Sequence, residues 1–222
     1  MKEKTGVALI GDVVGSRTHA DRAGMQRALV AVLDEVNKTV PADQPLAPTI
    51  GAEFQAVYAD AGTAIIATLR LRLSLPAGLD CSFGLGAGTY ADVARSHYGV
   101  MQDGPAWWSA RDAIVIAKQR ESRKNKTLRT WYVVADGPAE RGGKDLTQTA
   151  AVVNALLLCR DQIVGGMNVR QCRLLRGLLD GHTQAALAAA EGISPSAVSQ
   201  SLLSSGAFAV IAAHDQLAGV TR

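Results

Sequence analysis

At 222 residues the chain suits one large domain, or one medium domain with a small one attached. Hydrophobic residues at 48% and charged residues at 19% describe an ordinary soluble protein with ample core, and a net charge of +3 is too small to imply a polyanionic partner by itself. Three cysteines (Cys81, Cys159 and Cys172), with no C-x-x-C spacing, read as reduced thiols. No signal peptide is evident, and no apolar run approaches the ~20 residues that cross a bilayer, so the chain reads as cytoplasmic.

The first element is Val7–Val14, a nearly unbroken apolar run expected to form a central strand. It is interrupted by Asp12, and a buried carboxylate needs a hydrogen-bond partner, a counter-ion or a metal. One reading makes Asp12 a structural acid hydrogen-bonded to the turn at Gly51; the other makes it a ligand contact. Gly15-Ser16-Arg17 opens a turn. Apolar Met25, Leu29, Val32, Leu33 and Val36 predict a helix from about Asp21 to Lys38. Pro41, Pro45 and Pro48 make the next stretch a loop.

Thr49–Tyr58 reads as a hairpin with Gly51-Ala52 at its tip and a strand from near Glu53. A helix follows from Ala61 to Leu75, with Ile65, Ile66, Leu69 and Leu73 inward and Arg70 and Arg72 outward. Leu79–Gly88 is a strand whose glycines let something approach its backbone. Residues 91–102 read as a loop, a helix runs from Gly104-Pro105 to about Arg120, and Thr130–Val134 is the last strand. Strands alternating with helices around one hairpin predict an α+β domain of the ferredoxin-like or palm type.

Beyond Gly142 the pattern turns helical, which puts a boundary there between residues 1–142 and 143–222. Asp145 or Thr147 would cap a helix to about Val164 with an Ala150, Val153, Leu157 seam, and Asn168 would cap a helix over Val169–Leu179. Thr183 caps the next, with Ala186, Leu187 and Ala190 as its apolar stripe. Gly192 ends it, Ile193 plugs the turn, and Ser194-Pro195 starts another helix. Val198 and Leu202 would bury one side of that helix and leave Ser196, Ala197, Ser199, Gln200 and Ser204 outside. A final helix spans Phe208–Leu217.

The order Thr183-Gln-x-x-Leu-Ala-x-x-x-Gly-Ile-Ser-x-Ser-Ala-Val-Ser-x-x-Leu202 resembles the helix-turn-helix of bacterial transcription factors. The resemblance implies base contacts from Ser196, Ser199 and Gln200, with Thr183 at the motif's start. Arg170, Arg173 and Arg176, at i, i+3 and i+6 on the preceding helix, would meet phosphates. A plain αα-corner is the alternative. From Met167 onward the tail is only net +1, which is low for a DNA binder; the basic run Lys118–Arg129 could add charge, and dimerisation would double it. The Ala-rich helix 185–190 and the Val153/Leu157 seam are candidate homodimer surfaces or core stripes.

In the first domain, Asp12, the Gly51–Phe54 hairpin and Ala110–Lys118 resemble the motifs of nucleotide cyclase palm domains, diguanylate cyclases in particular. Gly11-Asp-Val-Val-x-Ser-Arg17, Gly51-x-Glu-Phe-Gln55 and Asp103-Gly-Pro-Ala-Trp107 resemble the SatD family of bacterial proteins. The cyclase resemblance implies Asp12 as a metal ligand, a phosphate-binding turn at Gly15 to Arg17, and Lys118 on a phosphate. A second acid is expected at position 52, which here is Ala52; the adjacent Glu53 is the substitute. With that position lost, no residue is assigned as catalytic or as a metal ligand, and no cofactor is expected. The four histidines (His19, His97, His182 and His214) lack metal spacing.

The reading is a cytoplasmic, homodimeric DNA-binding regulator with a catalytically degenerate, nucleotide-sensing domain and no membrane partner. The ligand-binding residues would be Asp12, Gly15, Arg17, Glu53 and Lys118. Two alternatives stand beside it: a metal-dependent nucleotidyl cyclase, and a protein-interaction module.

Overall fold

The structure is a computed structural model and describes residues 3–96, 99–135 and 143–220. The boundary expected at Gly142, and His97, lie outside the described residues. Strands β1 (Glu3–Val13), β2 (Gln44–Pro48), β3 (Glu53–Tyr58), β4 (Cys81–Ser96), β5 (Gly99–Asp103) and β6 (Thr130–Val134) form one sheet. Its order is β2-β3-β1-β4-β5, antiparallel along that path, with β6 added parallel to β4. Helices α1 (Arg22–Thr39), α2 (Ala61–Ser74) and α3 (Pro105–Arg120) complete a mixed α+β unit.

Alternation along β1 assigns its two faces. Leu9 and Val13 join Phe54, Phe83 and Leu85 under α1 and α2, whereas Ala8 and Ile10 join Val57 under α3. The approach of α3 depends on glycine. A Cβ at Gly84 would lie 2.1 Å from the Ala110 carbonyl oxygen, and one at Gly86 2.1 Å from the Ala110 nitrogen. Buried Ala106, Ala110, Ala113 and Ala117 keep the helix side equally small. The element that the β4 glycines admit is therefore a helix of the same chain.

Two expected loops are strands. Residues 44–48 form an edge strand despite Pro45 and Pro48, which such a position tolerates because one row of amides goes unpaired. Asn37 of α1 covers that edge, accepting from the Leu46 amide (2.8 Å) and donating to its carbonyl (2.9 Å). Residues 91–96 continue β4 and pair antiparallel with residues 99–103, β5, through an irregularity between Asp92 and Ala94.

Five helices follow: α4 (Gly143–Gly165), α5 (Val169–Leu179), α6 (Gln184–Glu191), α7 (Pro195–Ser204) and α8 (Ala207–Val220). Asp145 and Thr147 fall inside α4, which starts at Gly143, ahead of both expected caps. Leu157 is buried, and Ala150 and Val153 pack on the sheet-side core, so this seam serves intrachain packing. Val164, Leu174, Leu175, Leu187, Val198, Leu202 and Val210 share a cluster with Leu69 and Leu73 of α2.

Arg70 and Arg72, expected on the surface, are instead drawn into that contact. Arg72 pairs with Asp80 (3.1 Å) and Asp161 (3.2 Å), and Arg70 binds Asp180 and the Leu179 carbonyl (2.7 Å). Asp161, wholly buried, also accepts from Arg160 and from the Arg129 and Thr130 amides. Among the described residues no single helix is long and apolar enough to cross a membrane.

Candidate functional site

Asp12 stands opposite Glu53 in the β1–β3 register, so both carboxylates project from one face of the sheet. Helix α3 crosses that face and presents Arg111 and Lys118, seven residues or two turns apart. Arg111 donates from both terminal nitrogens to Glu53, at 2.6 and 2.8 Å. Lys118 donates to Asp12. The Arg111 hydrogen bond is the main reason the Glu53 carboxyl titrates below its ordinary range. The same pairing holds the Arg111 guanidinium above its own.

Asp12 is half-buried and its partner is Lys118, which corrects the expectation of a buried acid tied to the Gly51 turn. Ala52 points the other way, into the core beneath α1 and α2. A hollow of about 370 Å³ opens beside Asp12 and is lined by Gly15, Ser16, Arg17, Thr18, Lys118 and Glu121, among others. Gly15 takes the left-handed conformation (φ 68°) that turns β1 into a short 3-10 helix, Ser16–Thr18. Four of the five expected ligand-binding residues thus converge: Asp12, Gly15, Arg17 and Lys118. Glu53 does not line the hollow and is held by Arg111 instead.

Arg111 was not singled out from the sequence. Its two-turn spacing from Lys118 is the signal that could have found it. A second hollow, of about 400 Å³, lies beyond Arg111 and is lined by Ile10, Gln55, Gln102, Trp107, Trp108 and Asp112. Chemically, the first hollow combines a glycine turn with two cationic side chains, Arg17 and Lys118, and two carboxylates, Asp12 and Glu121, of which Asp12 is paired with Lys118. Among the described residues no group of three or more His, Cys, Asp or Glu side chains could hold a metal ion.

In the helical part, Thr183 caps α6 by accepting from the Ala186 amide (3.2 Å), and Gly192 ends it at φ 66°. Ser194 caps α7 through the Ala197 amide (3.2 Å). Val198 and Leu202 are fully buried, while Ser196, Gln200 and Ser204 are exposed. Ser199, expected outside, is half-buried, and the buried stripe of α6 is Leu187-Ala188, with Ala186 and Ala190 exposed. The three α5 arginines are not free. Arg173 grips Glu191 at 2.6 Å through two nitrogens, Arg170 lies 3.6 Å from the same carboxylate, and Arg176 lies 3.8 Å from Glu35.

No curated protein matches the chain. Similar solved structures include a bacterial light-regulated adenylyl cyclase (14% identity, 54% of this chain and 73% of that one, TM-score 0.45). Another is the guanylate cyclase domain of RhGC from Catenaria anguillulae in complex with GTP (15% identity, 50% and 73%, TM-score 0.41). A third is a class III adenylyl cyclase-like ATP-binding protein from Pseudomonas aeruginosa (15% identity, 65% and 38%, TM-score 0.43). The SatD family model matches residues 6–218, nearly the whole chain, and the chain therefore belongs to the SatD family.

Proposed function

We propose that the chain is a DNA-binding regulator in which a cyclase-like sheet unit, residues 1–142, receives a nucleotide-class anion and a helical unit, residues 143–222, reads DNA. The observation that carries this reading is the disposition of α7. Its buried side, Val198 and Leu202, is pinned into the α2–α5 cluster, and its opposite side offers Ser196 and Gln200 to solvent. Small polar side chains on a helix fixed from behind, after a tight left-handed turn, suit a major groove. Arg173 of the Arg173–Glu191 pair is exposed, so a phosphate could compete with the Glu191 carboxylate for it. A homodimer would place two α7 helices on one operator.

The test is a mobility-shift screen of genomic fragments at low salt. Retention of a fragment, lost in Ser196→Ala combined with Gln200→Ala, supports the reading; if no fragment is retarded, the reading fails. For the ligand, titration of a nucleoside triphosphate followed by tryptophan fluorescence should saturate, and Lys118→Met should weaken it.

A second reading, metal-dependent nucleotidyl transfer, is favoured by one observation: Asp12 and Glu53 face each other across β1 and β3. Divalent metal would have to displace Lys118 and Arg111 from these carboxylates. Incubation with nucleoside triphosphates and magnesium or manganese decides it, since the reading requires turnover that Asp12→Asn abolishes.

A further inference from the structure

A helical unit that meets DNA needs cations, yet its own charges nearly cancel. Over residues 143–222 six basic residues (Lys144, Arg160, Arg170, Arg173, Arg176 and Arg222) face five acids (Asp145, Asp161, Asp180, Glu191 and Asp215), a net charge of +1. Arg160, Arg170, Arg173 and Arg176 are each ion-paired. Unpaired cations lie next door, in the segment between α3 and β6. Arg123, Lys124 and Lys126 are exposed and carry no ion pair among the described residues, and Ser122–Thr127 contains no acid. Glu121, the acid before them, is engaged by Arg129 at 2.9 Å.

This segment is a built turn. The Asn125 amide donates to the Ser122 carbonyl (3.0 Å), the Leu128 amide donates to the Asn125 carbonyl (3.2 Å), and buried Leu128 anchors its end. It is also tied to the helical unit. Thr127 donates its hydroxyl to Gln162 of α4 at 2.7 Å, and a Cβ at Gly165 would lie 2.6 Å from the Thr127 side chain. The same end of α4 reaches the turn between α7 and α8, where a Cβ at Gly206 would lie 3.2 Å from Ile163. A fixed group of three cations is thus held one helix end away from α7.

We propose that residues 122–127 form a phosphate-backbone contact, with Arg123, Lys124 and Lys126 meeting successive DNA phosphates while α7 occupies the groove. The inference rests on the DNA reading above and supplies the charge that the helical unit lacks. These contacts position the protein and carry no sequence information, so their loss weakens binding alike on all fragments.

The experiment compares the full chain with the triple variant Arg123→Gln, Lys124→Gln, Lys126→Gln by fluorescence anisotropy on a retained fragment and on an unrelated one, over a series of salt concentrations. Each phosphate contact contributes about 0.9 to the slope of log K against log salt, so the variant's slope should be shallower by roughly 2 to 3. Its melting temperature should match that of the unsubstituted protein, because no intramolecular partner is lost. A variant that binds with the original slope overturns the proposal and leaves the DNA reading standing. An unsubstituted protein that binds no DNA overturns both. Competition by polyglutamate as effective as that by unlabelled DNA would make the partner an acidic protein and also overturn it.

Discussion

Arg72 of α2 and Asp161 of α4 meet at 3.2 Å with side chains only 5% and 0% exposed, so the sheet unit and the helical unit are joined through a dry ion pair. Around it, Asp80, Arg129 and Arg160 complete an alternating network, and backbone amides take the remaining Asp161 oxygen. Such a network is costly to assemble but more costly to break halfway, because the partner charges then stay buried without compensation.

Asp161→Ala should therefore cost about 3–5 kcal/mol, the range for removing one member of a buried pair. For a chain of this size that corresponds to a fall in melting temperature of roughly 6–20 °C. Thermal unfolding followed by circular dichroism checks it; an unchanged midpoint would contradict the role assigned to this carboxylate.

Gly86→Ala should destabilise by about 1–3 kcal/mol or more, since the added methyl would meet backbone atoms of α3 at 2.1 and 2.2 Å rather than a movable side chain. Helix α3 would have to shift, carrying Arg111 and Lys118 with it. Urea unfolding measures the first effect. The second would appear as weaker binding of the triphosphate proposed above as the ligand.

The Arg111–Glu53 contact has a defined pH signature. The folded carboxyl titrates below its ordinary value of 4.5, so the contact contributes fully above that pH and is lost as the pH falls through the depressed folded value. The difference in urea midpoint between the unsubstituted protein and Glu53→Gln should be constant from pH 5 to 7 and shrink below about 4.5. A difference that is flat down to pH 3 would show that Arg111 does not act on Glu53 as described.

Asn154 of α4 holds the main chain of β6, accepting from the Tyr132 amide and donating to the Tyr132 carbonyl, both at 2.8 Å. Asn154→Ala leaves two buried backbone groups without partners, a loss of about 1–3 kcal/mol for each such group. Hydrogen exchange at the Tyr132 amide should accelerate well beyond that at the Phe83 amide of β4, which donates to the Arg129 carbonyl. Equal protection would count against the assignment.

Features that depend on a few neighbouring residues were legible from the chain alone. The turn at Gly192, the caps at Thr183, Ser194 and Asn168, and the inward Val198 and Leu202 all follow from local backbone chemistry and helical spacing. The edge strand at Gln44–Pro48 was not legible, because its prolines argue for a loop and its pairing is supplied by Asn37 and β3 from elsewhere in the chain. The strand pairing of residues 91–96 with 99–103 was not legible for a related reason: the regularity of each strand lies in its partner and not in its own alternation.

At the candidate site, the chain by itself determined which residues could bear charge at the end of β1 and along α3, since strand and helix periods place Asp12, Arg17 and Lys118 without reference to any contact. Only the tertiary structure decided how those charges are used: Lys118 neutralises Asp12, Arg111 claims Glu53, and of the arginines expected at phosphates Arg170 and Arg173 go to Glu191 and Arg176 to Glu35. A side chain's type and position on its element are local properties. Its counter-ion is whichever opposite charge the packing of distant segments brings within reach, and those pairs are joined here across separations of 58 and 106 residues.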